Sequence, residues 1–247
     1  MKTVTSNISE QCTDYNDIAQ RYDIFEKSDV TLWRVGYRNL LNYIEPIIHK
    51  SILDYGCGSG TFCRFLRESK AIVTGVDASE NMINVAKKGY QNDIDYYHVT
   101  SGNLDFLAAN SFDFVVLNFV LCTISTWHEI FNILNSIQRV LKNNGSILIM
   151  NSNWDKSNGK EFISFKMEYY GNLSSGKAVT AVIKTEPPID LKDYYWSQED
   201  YCAFLKKTGF KITDVNEPLA SGNDFPGIDE KSYPPYYIIE AKNKYPK

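Results

Sequence analysis

A short apolar segment that leads directly into a glycine-rich turn most constrains how this chain folds. The segment, Ile52-Leu53-Asp54-Tyr55, is apolar except for Asp54, and the turn, Gly56-Cys57-Gly58-Ser59-Gly60, follows it. Such an apolar run predicts a buried strand, and glycines permit the positive φ angles of a tight turn. A helix beginning near Thr61 would direct its free main-chain N–H groups at the turn. The sequence therefore predicts a strand–turn–helix unit that binds a polar ligand group.

Strands and helices alternate through residues 51–153, which predicts a parallel, doubly wound sheet with right-handed crossovers. Thr126 and Glu129 have the spacing of a capping box, which opens a helix. We expect strands at residues 51–55, 71–76, 95–99, 112–118 and 146–150, helices from about 61, at 80–88 and after 126, and a turn at 143–145.

After residue 153 the chain becomes richer in aromatic residues and prolines. A strand is expected at 177–184, ended by Pro187 and Pro188, and a helix that Ser197 caps through about residue 207. Residues 210–215 and 236–241 predict two strands that close the sheet edge as an antiparallel pair. The fold class is therefore α/β, with a mostly parallel seven-stranded sheet, and residues 1–50 are expected to be mostly helical.

Charge and composition exclude several classes of protein. The 247 residues carry 26 basic and 30 acidic side chains, with the basic ones scattered, so nucleic acid is a disfavoured partner. The five cysteines form no CxxC pair and the three histidines lie far apart, so no metal site is expected. Without an apolar run of membrane-spanning length or a secretory signal, we expect a cytoplasmic protein.

Asp77 ends the second predicted strand, seventeen residues after Gly60. A carboxylate at that position accepts both hydroxyl groups of a ribose. The turn reads G-x-G-x-G, whereas nicotinamide-binding proteins use G-x-G-x-x-G; Thr61 and Cys63 occupy the third position in the two frames. These residues favour a nucleoside ligand and disfavour a nicotinamide cofactor.

The run Asp54-x-Gly-Cys-Gly-x-Gly resembles motif I of the class I S-adenosylmethionine-dependent methyltransferases. The resemblance covers residues 34–154. Within the family, the chain is similar to small-molecule enzymes of the glycine N-methyltransferase-like and azapteridine N-methyltransferase-like groups. It implies a Rossmann-like methyltransferase fold and S-adenosylmethionine as cofactor, with S-adenosylhomocysteine as product.

The resemblance also implies which residues contact the cofactor. Asp77 would hold the ribose, and Met82 would pack on the adenine, with plain core packing as the alternative. Residues 101–103 stand where the family often has Gly-Asp-Ala, and the missing acid leaves open which of them meets the adenine amino group. The implied cofactor contacts are Asp54, Gly56, Cys57, Gly58, Asp77, Ala78, Met82, Ser101, Gly102, Asn103, Asn118 and Phe119.

Residues 15–23 resemble a Tyr-Asp-x-Ile-Ala-x-x-Tyr-Asp segment that folds over the cofactor as a lid in this group. Tyr15 and Tyr22 are the implied contacts. Arg34 would pair with the cofactor carboxylate, for which a planar guanidinium is suited, and Arg38 is the competing candidate. We therefore divide the single domain into an N-terminal helical lid (1–50), a cofactor-binding core (51–153) and a substrate-covering segment with the closing strands (154–247).

An aromatic stretch between residues 165 and 201 predicts the surface that selects the acceptor, with Tyr169, Tyr194, Tyr195 and Trp196 as candidates and structural packing as the alternative. The expected function is methyl transfer to a nitrogen or oxygen of a small, flat or aromatic molecule. The alternatives are a methyltransferase for RNA or protein, and a cofactor-binding protein that does not methylate. The residues identify no catalytic base, since His128 at a helix start favours a surface position, and they leave monomer and homodimer open.

Overall fold

The computed structural model describes residues 12–88, 93–100, 102–222, 225–227 and 229–244. Its helices are α1 (Tyr15–Ser28), α2 (Arg38–Leu41), α3 (Thr61–Glu68), α4 (Glu80–Lys88), α5 (Trp127–Val140), α6 (Trp154–Ser157) and α7 (Gln198–Lys207). A π-helical segment, Leu32–Tyr37, precedes α2, and short 3-10 turns cover Leu121–Thr123 and Asp229–Lys231. The strands are β1 (Ser51–Tyr55), β2 (Ile72–Asp77), β3 (Asp95–His98), β4 (Phe112–Asn118), β5 (Leu141–Ser152), β6 (Phe165–Met167), β7 (Lys177–Ile183), β8 (Ile189–Tyr195), β9 (Phe210–Asn216) and β10 (Tyr236–Asn243).

The central sheet has seven strands in the order β3-β2-β1-β4-β5-β10-β9. Strands β1 to β5 pair in parallel, and β10 pairs antiparallel with both β5 and β9. The predicted doubly wound sheet with an antiparallel C-terminal edge is therefore confirmed. The order reverses between β1 and β4, and ligands of open α/β sheets bind at the carboxyl ends of strands at such a point.

Both faces of the sheet are covered by apolar side chains. Along β4, Val115 and Leu117 pack into one cluster, whereas Phe114 and Val116 pack into the cluster on the opposite face. Helix α5 contributes an apolar stripe to the first cluster, and its N-cap Thr126 accepts the main-chain N–H of Glu129 at 3.3 Å. Continuous apolar strands are the pattern that such two-sided burial requires.

The prediction that residues 143–145 form a turn before the fifth strand is wrong, because these residues lie within that strand. Strand β5 begins at Leu141, which pairs with Phe112, and the register with β4 shifts before Ser146 pairs with Phe114. Asn144 has a φ of +64°, in the left-handed region that asparagine tolerates better than most residues. The Asn-Asn-Gly stretch is therefore an irregularity within a strand and not a break before one.

Strands β6, β7 and β8 form a second, antiparallel three-stranded sheet. The sequence predicted β7, whereas β6 and β8 were not foreseen. Strand β8 carries Asp190, Lys192 and Asp193 between its apolar residues. The sequence therefore lacks the apolar run by which a buried strand is predicted. The small sheet places Asp193 and Tyr195 on its buried side.

The N-terminal region is helical, as predicted, and packs over the carboxyl edge of the sheet. Helix α1 begins at the N-cap Asp14, whose carboxylate accepts the main-chain N–H of Asn16 at 2.9 Å. Among the helices in the described part of the chain, none combines the length and apolar character that a membrane crossing requires.

Candidate active site

A cavity of about 590 Å³ opens at the carboxyl ends of β1, β2 and β4, with the start of α1 on its far side. This volume lies within the usual range for small-molecule sites. Its lining includes residues from the glycine-rich turn, the end of β2, the start of α4 and the segment after β4. The cavity therefore lies where the strand order reverses, beside the glycine-rich turn at which the sequence predicts a polar ligand group.

Gly56 and Gly58 shape the floor of this cavity. Gly56 has a φ of +76°, and a Cβ atom there would lie 2.3 Å from Cγ2 of Val120. Gly58 has a φ of +52°, and a Cβ there would meet no described atom within 4 Å, because it would point into open space. The first glycine is thus required by the protein's own packing, whereas the second leaves its main chain open to a ligand.

The carboxylate of Asp77 lies at the cavity edge with both oxygens hydrogen-bonded to main chain. One oxygen accepts the N–H of Gly58 at 2.8 Å, and the other accepts the N–H of Ser79 at 2.7 Å. Burial raises the pKa of Asp77, and these hydrogen bonds oppose that rise. Each carboxylate oxygen has two lone pairs, so both can still accept a hydroxyl from a ribose.

Three further predicted residues, Ala78, Met82 and Gly102, line the part of the cavity beyond Asp77. Met82 is 1% exposed, so its thioether side chain forms a buried wall. Asn103 is not in the lining, and its amide oxygen accepts the main-chain N–H of Asp105 at 2.7 Å. Ser101 lies outside the described residues. Of the three candidates at positions 101–103, the structure brings Gly102 to the cavity.

Asn118 and Phe119 line the cavity at the end of β4. The amide oxygen of Asn118 is buried and has no hydrogen-bond partner in the described ranges. Phe119 has a φ of +55°, and its ring packs edge-on against Tyr236 with 5.3 Å between ring centroids. A left-handed conformation at a bulky residue is uncommon and concentrates at functional sites.

The N-terminal segment closes the cavity from the opposite side. Tyr15 and Tyr22 both line it, and their rings meet edge-to-face at 5.6 Å. Asn16, which the sequence reasoning missed, also lines it, and its side-chain oxygen accepts from the hydroxyl of Ser79 at 2.8 Å and from the N–H of Asn81 at 3.1 Å. The sequence signal for Asn16 was its position next to Tyr15, which was predicted to contact the cofactor. These bonds attach the start of α1 to the start of α4.

A second attachment joins α1 to the glycine-rich turn. The carboxylate of Glu26 accepts the hydroxyl of Tyr37 at 2.7 Å and the hydroxyl of Ser59 at 3.2 Å. Burial raises the pKa of Glu26, while the bonds from Tyr37 and Ser59 oppose the rise. The segment over the cavity is therefore fixed at both ends of α1.

Besides Asn103, three described residues predicted to bind the cofactor lie outside the cavity lining. The guanidinium of Arg34 lies over the ring of Phe225, 5.2 Å from its centroid. Asp54 accepts from the thiol of Cys63 at 3.1 Å, and burial raises its pKa to about 7. Cys57 is buried, with its sulfur beneath Gly75. Asp54 and Cys57 thus support the turn from below in this structure.

The four candidate acceptor residues lie outside both the large cavity and the small one described next. Tyr195 is buried and donates its hydroxyl to Asp155, and the indole N–H of Trp196 donates to the carbonyl of Ile124 at 2.9 Å. The main-chain N–H of Tyr169 donates to Asn158, and Tyr194 lines a separate pocket of about 40 Å³. Their part in acceptor binding stays a prediction.

A smaller cavity of about 50 Å³ adjoins the large one and shares Tyr15, Tyr22 and Phe119 with it. Its remaining wall comes from α1, the π-helical segment, the ends of β5 and β10 and the inner side of the small sheet. These further lining residues are Phe25, Asp29, Leu32, Ser152, Phe165, Ala181, Ile183, Leu191, Asp193 and Tyr236.

The residues of the large cavity fit a nucleoside with an amino-acid tail. A carboxylate at the end of β2 suits the ribose hydroxyls, and open main chain at Gly58 with the unpartnered amide of Asn118 suits a polar tail. No group of three histidine, cysteine or acidic side chains is placed to hold a metal ion within the residues that the structure covers. Fold and site together define a methyltransferase of the Rossmann-like class.

Comparison with known proteins gives the family. Residues 53–149 match the family described as methyltransferase domain. N-demethylindolmycin N-methyltransferase of Streptomyces griseus is 31% identical over 194 residues, which are 77% of this chain and 79% of that protein. Demethylmenaquinone methyltransferase of Staphylococcus haemolyticus is 31% identical over 183 residues, or 69% and 70% of the two chains.

Solved structures give the same fold. The CcbJ methyltransferase from Streptomyces caelestis superposes with a TM-score of 0.67 at 15% identity, covering 93% of this chain and 97% of that one. An S-adenosylmethionine-dependent methyltransferase from Mesorhizobium loti has a TM-score of 0.62 at 17% identity, covering 83% and 96%. The chain belongs to the S-adenosylmethionine-dependent methyltransferases, and S-adenosylmethionine is its cofactor.

Proposed function

We propose that the protein transfers a methyl group from S-adenosylmethionine to a nitrogen or oxygen of a small, flat or aromatic molecule. The observation that carries this proposal is the small aromatic-lined cavity that opens beside the large one. An acceptor in the small cavity would meet the larger one at Tyr15, Tyr22 and Phe119. Relatives named for indolmycin and menaquinone precursors support a small-molecule acceptor.

In the large cavity, Asp77 would hold the ribose, Met82 and Gly102 would contact the adenine, and Asn118 with the main chain of Gly58 would hold the amino-acid tail. S-adenosylmethionine supplies a methyl group on a cationic sulfur, which a nucleophile displaces in line. The chain's own task is to hold the acceptor atom in line and to keep water out. Tyr15, Tyr22 and Phe119 are placed to do both, because they stand between the cavities.

Methyl transfer needs a protein base only where the acceptor must lose a proton before or during the attack, and no residue of the cavity lining is identified as that base. We therefore assign no catalytic base, and His128 is exposed on the first turn of α5. The unassigned step is the removal of a proton from the acceptor where the acceptor requires it.

Incubation with S-adenosylmethionine labelled in its methyl group tests the proposal. Reaction with a metabolite extract depleted of macromolecules, followed by mass spectrometry, is expected to yield labelled small molecules. The same reaction with total RNA and with protein is expected to yield none. Label in RNA or protein alone would support the macromolecular alternative, and binding of S-adenosylhomocysteine without any transfer would support a non-methylating protein.

A further inference from the structure

The small cavity carries acidic groups in an otherwise apolar and aromatic wall. Asp29 and Asp193 both line it, together with the rings of Tyr22, Phe165 and Tyr236. No lysine, arginine or histidine belongs to its lining among the described residues. An aromatic cavity with negative charge selects against anionic ligands and favours cationic ones.

The two carboxylates differ in how they are satisfied. Asp29 accepts the main-chain N–H of Leu32 at 3.0 Å and the hydroxyl of Ser164, so it stabilises the start of the π-helical segment. Asp193 is 9% exposed, and its Oδ1 atom is buried without a hydrogen-bond partner anywhere in the described chain. Asp193 is therefore the group with an unused acceptor.

Strand β8 explains why Asp193 faces inward. Residues of a strand alternate between its two faces, so Asp193 shares a face with Ile189 and Leu191. Leu191 lines the small cavity, and Ile189 packs beside Leu191. It pairs with Val179 of β7, which is buried. An apolar residue would satisfy folding at this position, and a buried carboxylate oxygen without a hydrogen-bond partner costs free energy. The position is thus better explained by a ligand than by packing.

Asp193 lies beside the residues that separate the two cavities. Burial raises its pKa to about 6, and a hydrogen bond with the thiol of Cys122 opposes the rise. After burial, the charge of Asp193 is the next largest cause that raises the pKa of the Tyr15 hydroxyl, and it acts on Tyr22 as well. These effects require proximity, and Tyr15 and Tyr22 belong to both cavities.

We propose that Asp193 binds a protonated amine group of the methyl acceptor, which makes the acceptor a cation with an apolar or aromatic body. Because an ammonium nitrogen has no lone pair, the methyl group goes to a second nitrogen or oxygen of the same molecule. This inference rests on the proposed function and narrows its acceptor class. An ammonium group would give Oδ1 the hydrogen bond that it lacks and would offset its buried charge. The rings of Tyr15, Tyr22 and Phe119 would attract the same cation through their faces.

The test uses three probes that share a phenyl group and differ in charge: 2-phenylethylamine, 2-phenylethanol and phenylacetate. Their binding to the full chain saturated with S-adenosylhomocysteine is measured by calorimetry at neutral pH. The amine is expected to bind about tenfold more tightly than the alcohol, and phenylacetate is expected to bind most weakly. This ranking is measured on the natural chain and does not depend on any variant folding.

Asp193→Asn keeps the size of the side chain and removes its charge. The variant is expected to lose the preference for the amine, while affinity for the alcohol stays within about twofold. Asp190→Asn is the matched control, because Asp190 is exposed on the opposite face of β8, and it should keep the preference. Affinity for S-adenosylhomocysteine, measured for each variant, shows that the cofactor site is intact.

Two results would overturn the assignment: an amine that binds the natural chain no more tightly than the alcohol, or an Asp193→Asn variant that keeps the full preference. Failure of the proposed function has a different signature. It would show as absence of labelled small-molecule products with every extract, whatever the probe ranking. Loss of the ranking of the three probes, with small-molecule methylation intact, would rule out only the role of Asp193 in binding the acceptor.

Discussion

The carboxylate of Asp77 accepts the main-chain N–H of Gly58 at 2.8 Å, so the acid that ends β2 is bonded to the turn that follows β1. The same carboxylate accepts the N–H of Ser79 at 2.7 Å. One side chain therefore fixes the glycine-rich turn and the start of α4 relative to each other. A ligand that binds Asp77 meets both elements in a set position, which is the purpose of a preorganised site.

Replacement of Asp77 by Asn is expected to weaken binding of S-adenosylhomocysteine by about tenfold or more, because a charged acceptor contributes about 1.5–3 kcal/mol per hydrogen bond. Isothermal calorimetry measures the change. Asp95→Asn is the control, since Asp95 is exposed on β3 and lies outside the cavity lining. Equal affinity in the Asp77 variant and the control would remove Asp77 from the site.

Gly56→Ala and Gly58→Ala are expected to fail in different ways. Both positions have positive φ, which costs a side chain about 1–2 kcal/mol. At Gly56 the new methyl also overlaps Val120, which adds about 1–3 kcal/mol of overpacking. The Gly56 variant should therefore lose more stability, whereas the Gly58 variant should lose more cofactor affinity, because its methyl enters the cavity.

Thermal unfolding and calorimetry with S-adenosylhomocysteine separate these two effects. Val120→Ala combined with Gly56→Ala provides the internal check, because a smaller side chain removes the overlap. The double variant should regain part of the stability that Gly56→Ala loses, relative to Val120→Ala alone. An additive double variant would contradict the overlap as the cause.

Asn16→Ala is expected to speed the dissociation of S-adenosylhomocysteine. Its side-chain oxygen accepts from Ser79 and from the main chain of Asn81, so its loss weakens the attachment of α1 to α4 and leaves the bond from the Asn81 side chain to the carbonyl of residue 16. Stopped-flow displacement measures the dissociation rate. Gln20→Ala, an exposed position of the same helix, is the control, and an Asn16 variant with the control's rate would show that this attachment does not retain the ligand.

The sequence predicted the central sheet well because its inner strands, such as β1 and β4, are buried along most of their length. Strands β1 and β4 have the predicted limits, and the closing pair β9 and β10 lies where residues 210–215 and 236–241 indicated. Strand β8 was not predicted because charged residues interrupt its alternation of apolar and polar residues. Alternation alone also does not show that Asp193 shares the buried face, since that depends on which side of the small sheet packs on the core.

Local motifs predicted the positions of the cavity residues better than long-range ones. Gly56, Gly58 and Asp77 follow strand ends, and the order of parallel strands brings strand ends together. Arg34 depends instead on how the N-terminal helices rotate, and in the structure it meets Phe225, nearly 200 residues away in sequence. No spacing within residues 15–38 encodes that contact, so Arg34 as a cofactor ligand stays a prediction.

The stability of the fold is expected to depend on pH through Asp54. Burial raises the pKa of Asp54 to about 7 in the folded chain, against about 3.9 in an unfolded one. Between these values the folded chain keeps a proton that the unfolded chain releases, so stability from this group is complete below pH about 4 and falls as the pH rises towards 7. One unit of difference in pKa corresponds to about 1.4 kcal/mol.

Asp54→Asn removes this titration while keeping the shape of the side chain. Its free energy of unfolding, measured with urea from pH about 4 to 8, should improve relative to the natural chain as the pH rises. Asp29 and Asp193 are also buried acids with raised pKa values, but they remain in both proteins and cancel in the difference. The charges of Glu26 and Asp77 raise the pKa of Asp54 itself, so their coupling to Asp54 is part of the measured difference. A difference that stays constant over this range would mean that Asp54 titrates alike in the folded and unfolded chains.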